Sequence, residues 1–128
     1  MPAKARQGVA CGSGQPSLAE RPLITSEQGY CLSRTFQVLA NDSRLRMLHA
    51  LIRAGEMCVG DLAEAIEMRP QAVSNQLQRL VDRGVVASRR DGNFIRYRID
   101  DPCVTQLLDL GLSLAETPAV AAMAGVGH

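Results

Sequence analysis

Apolar residues along this chain change their spacing twice. Between positions 26 and 83 they recur every three or four residues, the period of helices with one buried face. Between 85 and 99 they alternate with polar residues, the period of strands. After 101 the helical spacing returns. Punctuation divides the first stretch. Ser26 can cap a first helix running to Ala40, with Leu32, Phe36 and Leu39 on one face. Asn41, Asp42 and Ser43 open a second helix to about Ala54, with Leu45, Met47, Leu48 and Ile52 as its stripe; Gly55 stops it. A third helix covers Val59 to Ile66, with Leu62, Ala63 and Ile66 inward. Pro70 suits the first turn of a fourth, which turns Val73, Leu77, Leu80 and Val81 to the core and reaches Arg83 before Gly84 ends it.

The alternating stretch reads VVASRR, then DGN, then FIRYRI, a hairpin around an Asp-Gly turn. Asp100 or Asp101 caps a last helix with Pro102 in its first turn. Val104, Leu107, Leu108, Gly111, Leu114 and Ala115 give that helix more apolar surface than a lone surface helix needs. Residues 1–24, rich in Gly, Pro, Ser and Ala, read as a flexible arm. Residues 25–117 form the folded domain, and 118–128 a disordered tail.

Composition adds one constraint. Hydrophobic residues are 46% of the 128, but aromatics are 3% and Trp is absent, so the core is aliphatic and small. Such a core is marginal alone, and dimerisation is the natural remedy. No apolar run is long enough to span a bilayer, and the N-terminus lacks the apolar stretch of a signal peptide, so a cytoplasmic protein without membrane contact is expected.

Net charge is +1, which by itself says nothing about nucleic acid. Its distribution does. Seven arginines and only two acids lie between Arg69 and Arg98, while the segments 56–67 and 100–128 carry acids and no base. The third and fourth helices, closely joined, place Gln71, Ser74, Asn75 and Gln78 on an exposed face. Gln and Asn can bond adenine bidentately, and Ser can bond bases or phosphates. Arg89 and Arg90 precede the hairpin turn, and Arg96 and Arg98 follow it, an arm able to grip phosphates. A helix-turn-helix followed by a basic hairpin is a winged helix-turn-helix. The fold class expected is therefore mainly α with a β-hairpin wing, dimeric through its first and last helices. No Walker loop, C-x5-R motif or nucleophile with a plausible base points to an enzyme.

The segments LANDSRLRMLHAL, EMCVGDLAEAI, AVSNQLQRLVDRGVV and SRRDGNFIRYRI together resemble the ArsR/SmtB metalloregulators over about residues 30 to 117. The resemblance implies a homodimeric repressor of double-stranded operator DNA, bound at an inverted repeat and released when a metal or metalloid ion binds. It carries over Gln71, Ser74, Asn75, Gln76 and Gln78 as DNA-reading positions, and Arg89, Arg90 and Arg96 as wing contacts. Arg69 stands where the family often has a hydroxyl helix cap.

Four cysteines (Cys11, Cys31, Cys58 and Cys103) are widely spaced, without a C-x-x-C pair, so free thiols or metal ligands are expected rather than a disulfide framework. Cys58 and Cys103 lie at or near helix starts, where the helix dipole favours thiolate. By the resemblance, Cys58 matches a thiolate ligand of many members, completed by cysteines of the arm, here Cys11; the usual second cysteine is Gly60. Zinc-sensing members use Asp and His, then His and Glu, on the last helix. The matching residues are Asp101, Cys103, Leu114 and Thr117, so that set is incomplete. Cys31 of the first helix could approach Cys103 across the dimer seam. With two histidines, His49 and His128, and four cysteines, the expected inducer is a soft ion: As(III), Sb(III), Hg(II), Cd(II) or Pb(II). No ion is required for DNA binding. The alternatives are a redox or persulfide sensor using a cysteine pair, and an architectural DNA binder blind to metal.

Overall fold

The computed structural model describes residues 16–123. After a single 3-10 turn at Leu18–Glu20, helix α1 spans Ser26–Leu39. Its cap is Thr25 rather than Ser26. The Thr25 hydroxyl accepts the Gln28 N–H at 3.1 Å, and Gln28 Oε1 accepts the Thr25 N–H at 2.9 Å. This reciprocal box satisfies two otherwise orphaned donors. Helix α2, Asp42–Ala54, is capped by Asn41, whose side chain accepts the Arg44 N–H, and it ends at Gly55 in a positive-φ conformation (87°).

Helices α3 (Val59–Ile66) and α4 (Pro70–Asp82) follow, joined by Glu67, Met68 and Arg69. Glu67 takes the left-handed conformation, φ 59° and ψ 49°, and its N–H reaches back to α3 carbonyls. The inward residues follow the period with one rotation on α2: Leu51, not among the expected stripe, is buried, while Leu45 is exposed and Ile52 half-buried at an open groove; Val81 of α4 is also only half-buried. Met47, Leu48 and Leu51 of α2, Leu62 of α3, and Val73, Leu77 and Leu80 of α4 are all fully buried in one aliphatic core. Apolar burial of this kind contributes roughly 25 cal/mol per Å² removed from water.

The hairpin consists of β2 (Val86–Asp91) and β3 (Phe94–Ile99). Asp91 pairs with Phe94, so the two loop residues are Gly92 and Asn93, one place on from the expected Asp-Gly pair. Gly92 carries the positive φ (63°) and Asn93 does not, the signature of a type II′ connection. A third, two-residue strand, β1 (Met57–Cys58), pairs antiparallel with β3 and gives the order β1-β3-β2. Val86 and Tyr97 bury the inner face of this sheet against the helices.

Asp101 caps α5 (Pro102–Ala115), accepting the Cys103 N–H at 2.9 Å. A short helix α6, Pro118–Met123, stands where the sequence suggests the start of a frayed tail. Helices α1, α2 and α5 enclose an open apolar groove of about 780 Å³, lined by Phe36, Leu39, Leu45, Ile52, Leu107 and Leu112 among others. Phe36 remains 48% exposed and Leu114 60%, far more than apolar side chains of a finished core. Among the described residues, no helix is long and apolar enough to cross a membrane.

Candidate nucleic-acid interface and thiol positions

Helix α4 is held by its apolar side, which leaves the opposite side free. Spacing of three and four residues aligns Gln71, Asn75, Gln78 and Asp82 in one exposed stripe, with half-buried Ser74 at its edge. The amides are pre-ordered along the helix. Gln71 Nε2 donates to Asn75 Oδ1 at 3.1 Å, and Gln78 Nε2 donates to Asp82 Oδ1 at 2.9 Å. Both bonds are exposed, so exchange for base edges costs little. Gln76 is placed differently. It is half-buried, and its Oε1 accepts a 2.6 Å bond from Arg44 Nε on α2. The family resemblance groups it with the readers; the fold turns it inward. The N-cap of α4 is Arg69, which makes no side-chain cap bond.

The sheet register sorts the wing arginines. Residues directly opposite in an antiparallel pair share a face. Cys58 lies opposite Arg96, and Arg96 opposite Arg89, so a thiol and two guanidiniums form a row on the outer face. Two like charges opposed in this way repel. Two carboxylates neutralise them. Glu56 takes a two-pronged contact from Arg89, at 2.9 Å from Nε and 2.7 Å from Nη2, and Asp91 accepts from Arg96 Nε at 2.7 Å. The Arg89 hydrogen bond holds the Glu56 carboxyl below its ordinary value, and Arg96 does the same for Asp91. Arg90 projects from the other face, opposite Ile95, exposed and without an ion pair among the described residues. Arg98 lies on the outer face beside Arg96. The structure therefore leaves Arg90 open and engages Arg89 and Arg96 with carboxylates. Sequence reasoning missed Glu56 and Asp91 as partners, although both belong to the acids it counted.

The cysteines are dispersed. Cys31 is exposed on α1 and free. Cys58 is half-buried and free, at the N-cap position of α3, where its side chain makes no cap bond. Cys103 is disulfide-bonded, which corrects the expectation of free thiols throughout. Cys11 lies outside the described residues, as does His128. His49 is exposed on α2 at the groove. Among the described residues, no three His, Cys, Asp or Glu side chains converge as a metal cluster. Asp101 spends an oxygen on the α5 cap, and Leu114 and Thr117 have no ligand chemistry for zinc.

Comparison with known proteins bears on this arrangement. Residues 41–88 match the family described as bacterial regulatory protein, arsR family. The crystal structure of the antimony-specific transcriptional repressor AntR is 59% identical and superposes with a TM-score of 0.71, covering 81% of this chain and 94% of that one. The homodimeric winged helix-turn-helix DNA-binding domain of a possible ArsR-family regulator from Mycobacterium bovis is 31% identical, with a TM-score of 0.64 over 75% of this chain and 91% of that one. The cadmium resistance transcriptional regulatory protein CadC of Listeria innocua is 34% identical over 66% of this chain and 71% of its own length.

Proposed function

Because the chain belongs to the arsR family of bacterial transcriptional regulators, we propose that it is a homodimeric cytoplasmic repressor that leaves an inverted-repeat operator when a thiophilic ion binds its cysteines. The observation that carries the reading is the exposed Gln71–Asn75–Gln78 stripe on α4, beside an arginine-rich hairpin. In this reading α4 enters the major groove and its amides meet base edges. Ser74 contributes from the edge of the stripe. Arg90 grips phosphate from the wing, joined by Arg89 and Arg96 when their carboxylate partners yield. The groove between α1, α2 and α5 is filled by the second protomer, which covers the exposed Phe36 and Leu114.

Two thiol positions serve as sensor candidates. Cys58 sits half-buried at the N-cap position of α3, directly opposite Arg96 in the sheet register. Cys103 stands at the start of α5, where a bound ion would act on the dimer seam. Cys11 and Cys31 are further ligand candidates. The similarity to an antimony-specific repressor and to a cadmium resistance regulator supports a soft inducer. One observation favours a redox sensor as a second reading: Cys103 is disulfide-bonded.

Operator-release titrations with antimony(III), in excess phosphine reductant, separate these possibilities. Cys58→Ser should blunt release if the α3 position senses the ion, and Cys103→Ser if α5 does. Couplings of this kind are typically about 1–3 kcal/mol, so the loss should reach tenfold in the concentration needed. If wild type keeps DNA when reduced and metal-loaded but releases it on oxidation, the redox reading replaces the metal reading. If the double variant responds like wild type to both treatments, Cys58 and Cys103 are not the sensor.

A further inference from the structure

Arg44 sits at the corner between α1 and α2 and touches three elements. Its backbone N–H donates to the Asn41 cap at 3.0 Å. Its Nη1 donates to the Val38 carbonyl in the last turn of α1, at 2.8 Å. Its Nε donates to Gln76 Oε1 in the middle of α4, at 2.6 Å. The Val38 carbonyl is among the last four of its helix, which have no partner within the helix. A guanidinium there satisfies an orphan acceptor and complements the negative end of the α1 dipole. All three side-chain and backbone partners are partly buried, and the planar guanidinium fixes both directions at once.

We infer that Arg44 is a positioning residue, a strap that fixes the angle between α1 and α4 and so sets the distance between the two reading helices of the dimer. The inference rests on the proposed function, in which α1 belongs to the dimer seam and α4 reads DNA. Gln76, half-buried and turned toward Arg44, is the strap's anchor on α4 and not a base contact. A seam movement that shifts α1 pulls on Gln76 through one side chain. Helix α2 also holds the end of α3, since Arg46 Nη1 donates to the Ile66 carbonyl at 3.2 Å. That contact reaches the end of α3, whereas the Arg44 contact reaches α4 itself.

A readout of spacing distinguishes a strap from a merely stabilising contact. The full chain is used to select a duplex from a random pool. Binding is then measured to that duplex and to versions with the half-sites moved apart or together by one base pair. Wild type should discriminate against both altered spacings by about tenfold or more, the scale of one mismatched position. Arg44→Met and Gln76→Met should each flatten that discrimination to about threefold or less. The double variant should be no flatter than either single, as expected for two ends of one interaction. Arg44→Lys, which cannot reach both acceptors with a planar fork, should resemble Arg44→Met. Full discrimination in Gln76→Met, which keeps the Arg44 contact with Val38 and so preserves the corner, overturns the strap. Equal loss of affinity on all three spacings also overturns it, because that is what simple destabilisation produces. A selected duplex without two half-sites overturns the proposed function and the strap with it.

Discussion

Glu56 shows how one side chain sets the charge available to a polyanion. Its two contacts with Arg89 compete with phosphate for the same guanidinium donors. Glu56→Gln should free Arg89, tighten DNA binding at low salt and steepen the salt dependence by about one phosphate's worth. Arg90→Ala should flatten the slope by a similar amount, because Arg90 has no carboxylate to replace. An unchanged slope in both variants would show that the wing does not contact phosphate. The pair also predicts a pH response. The Arg89 hydrogen bond depresses the Glu56 carboxyl below 4.5, so the interaction is complete above that value. It is lost only as pH falls through the depressed value. Titration of Glu56 should therefore contribute nothing to the pH dependence of DNA binding between pH 6 and 8, and Glu56→Gln should shift affinity equally across that range. Little of this was legible in the sequence. The hairpin arginines stood out as a cluster, but Glu56 lies 33 positions from Arg89 and no local period links them. Arg44 and Gln76 are hidden for the same reason, being 32 positions apart.

The helices were the legible elements: α2, α3 and α4 each bury one face of a 3.6-residue period, and α1, α2 and α5 begin on side chains that accept backbone N–H groups. Departures occurred where few residues decide the outcome. Strand β1 has two residues, too short for any alternation to register, and exists because β3 offers it an edge. The turn moved by one residue because the register is set by Tyr97 and Val86 pointing into the core, and Gly92 then falls at the position needing positive φ. Thr25 displaced Ser26 because only Thr25 stands three residues before a Gln that can close the box. Helix α4 tests the capping argument in the opposite direction. Arg69 gives its first turn no side-chain acceptor. Arg69→Thr should supply one and raise the stability of the free protein by about 1 kcal/mol. Thermal unfolding without DNA checks this; an unchanged or lower midpoint would mean that another group already serves that turn.

At the scale of the whole molecule, the described residues leave one apolar face uncovered. The core joins α2, α3, α4 and the sheet, while α1 and α5 leave an open apolar groove and exposed Phe36, Leu112 and Leu114. The excess apolar surface of α5 was visible in the sequence, and the groove shows where it is applied. The disposition of the thiols was not visible, since cysteine spacing alone does not say which residues fold together. Dimerisation, DNA reading and release by a soft ion make one account, and sedimentation tests them together. The reduced full chain is mixed with a fluorescent duplex selected for binding, and its sedimentation is followed before and after antimony(III) is added. The account predicts two chains per duplex without the ion and free duplex with it, while the protein remains a dimer. A single chain on the duplex, or a complex that survives antimony(III), arsenic(III), cadmium(II), mercury(II) and lead(II) alike, would contradict it.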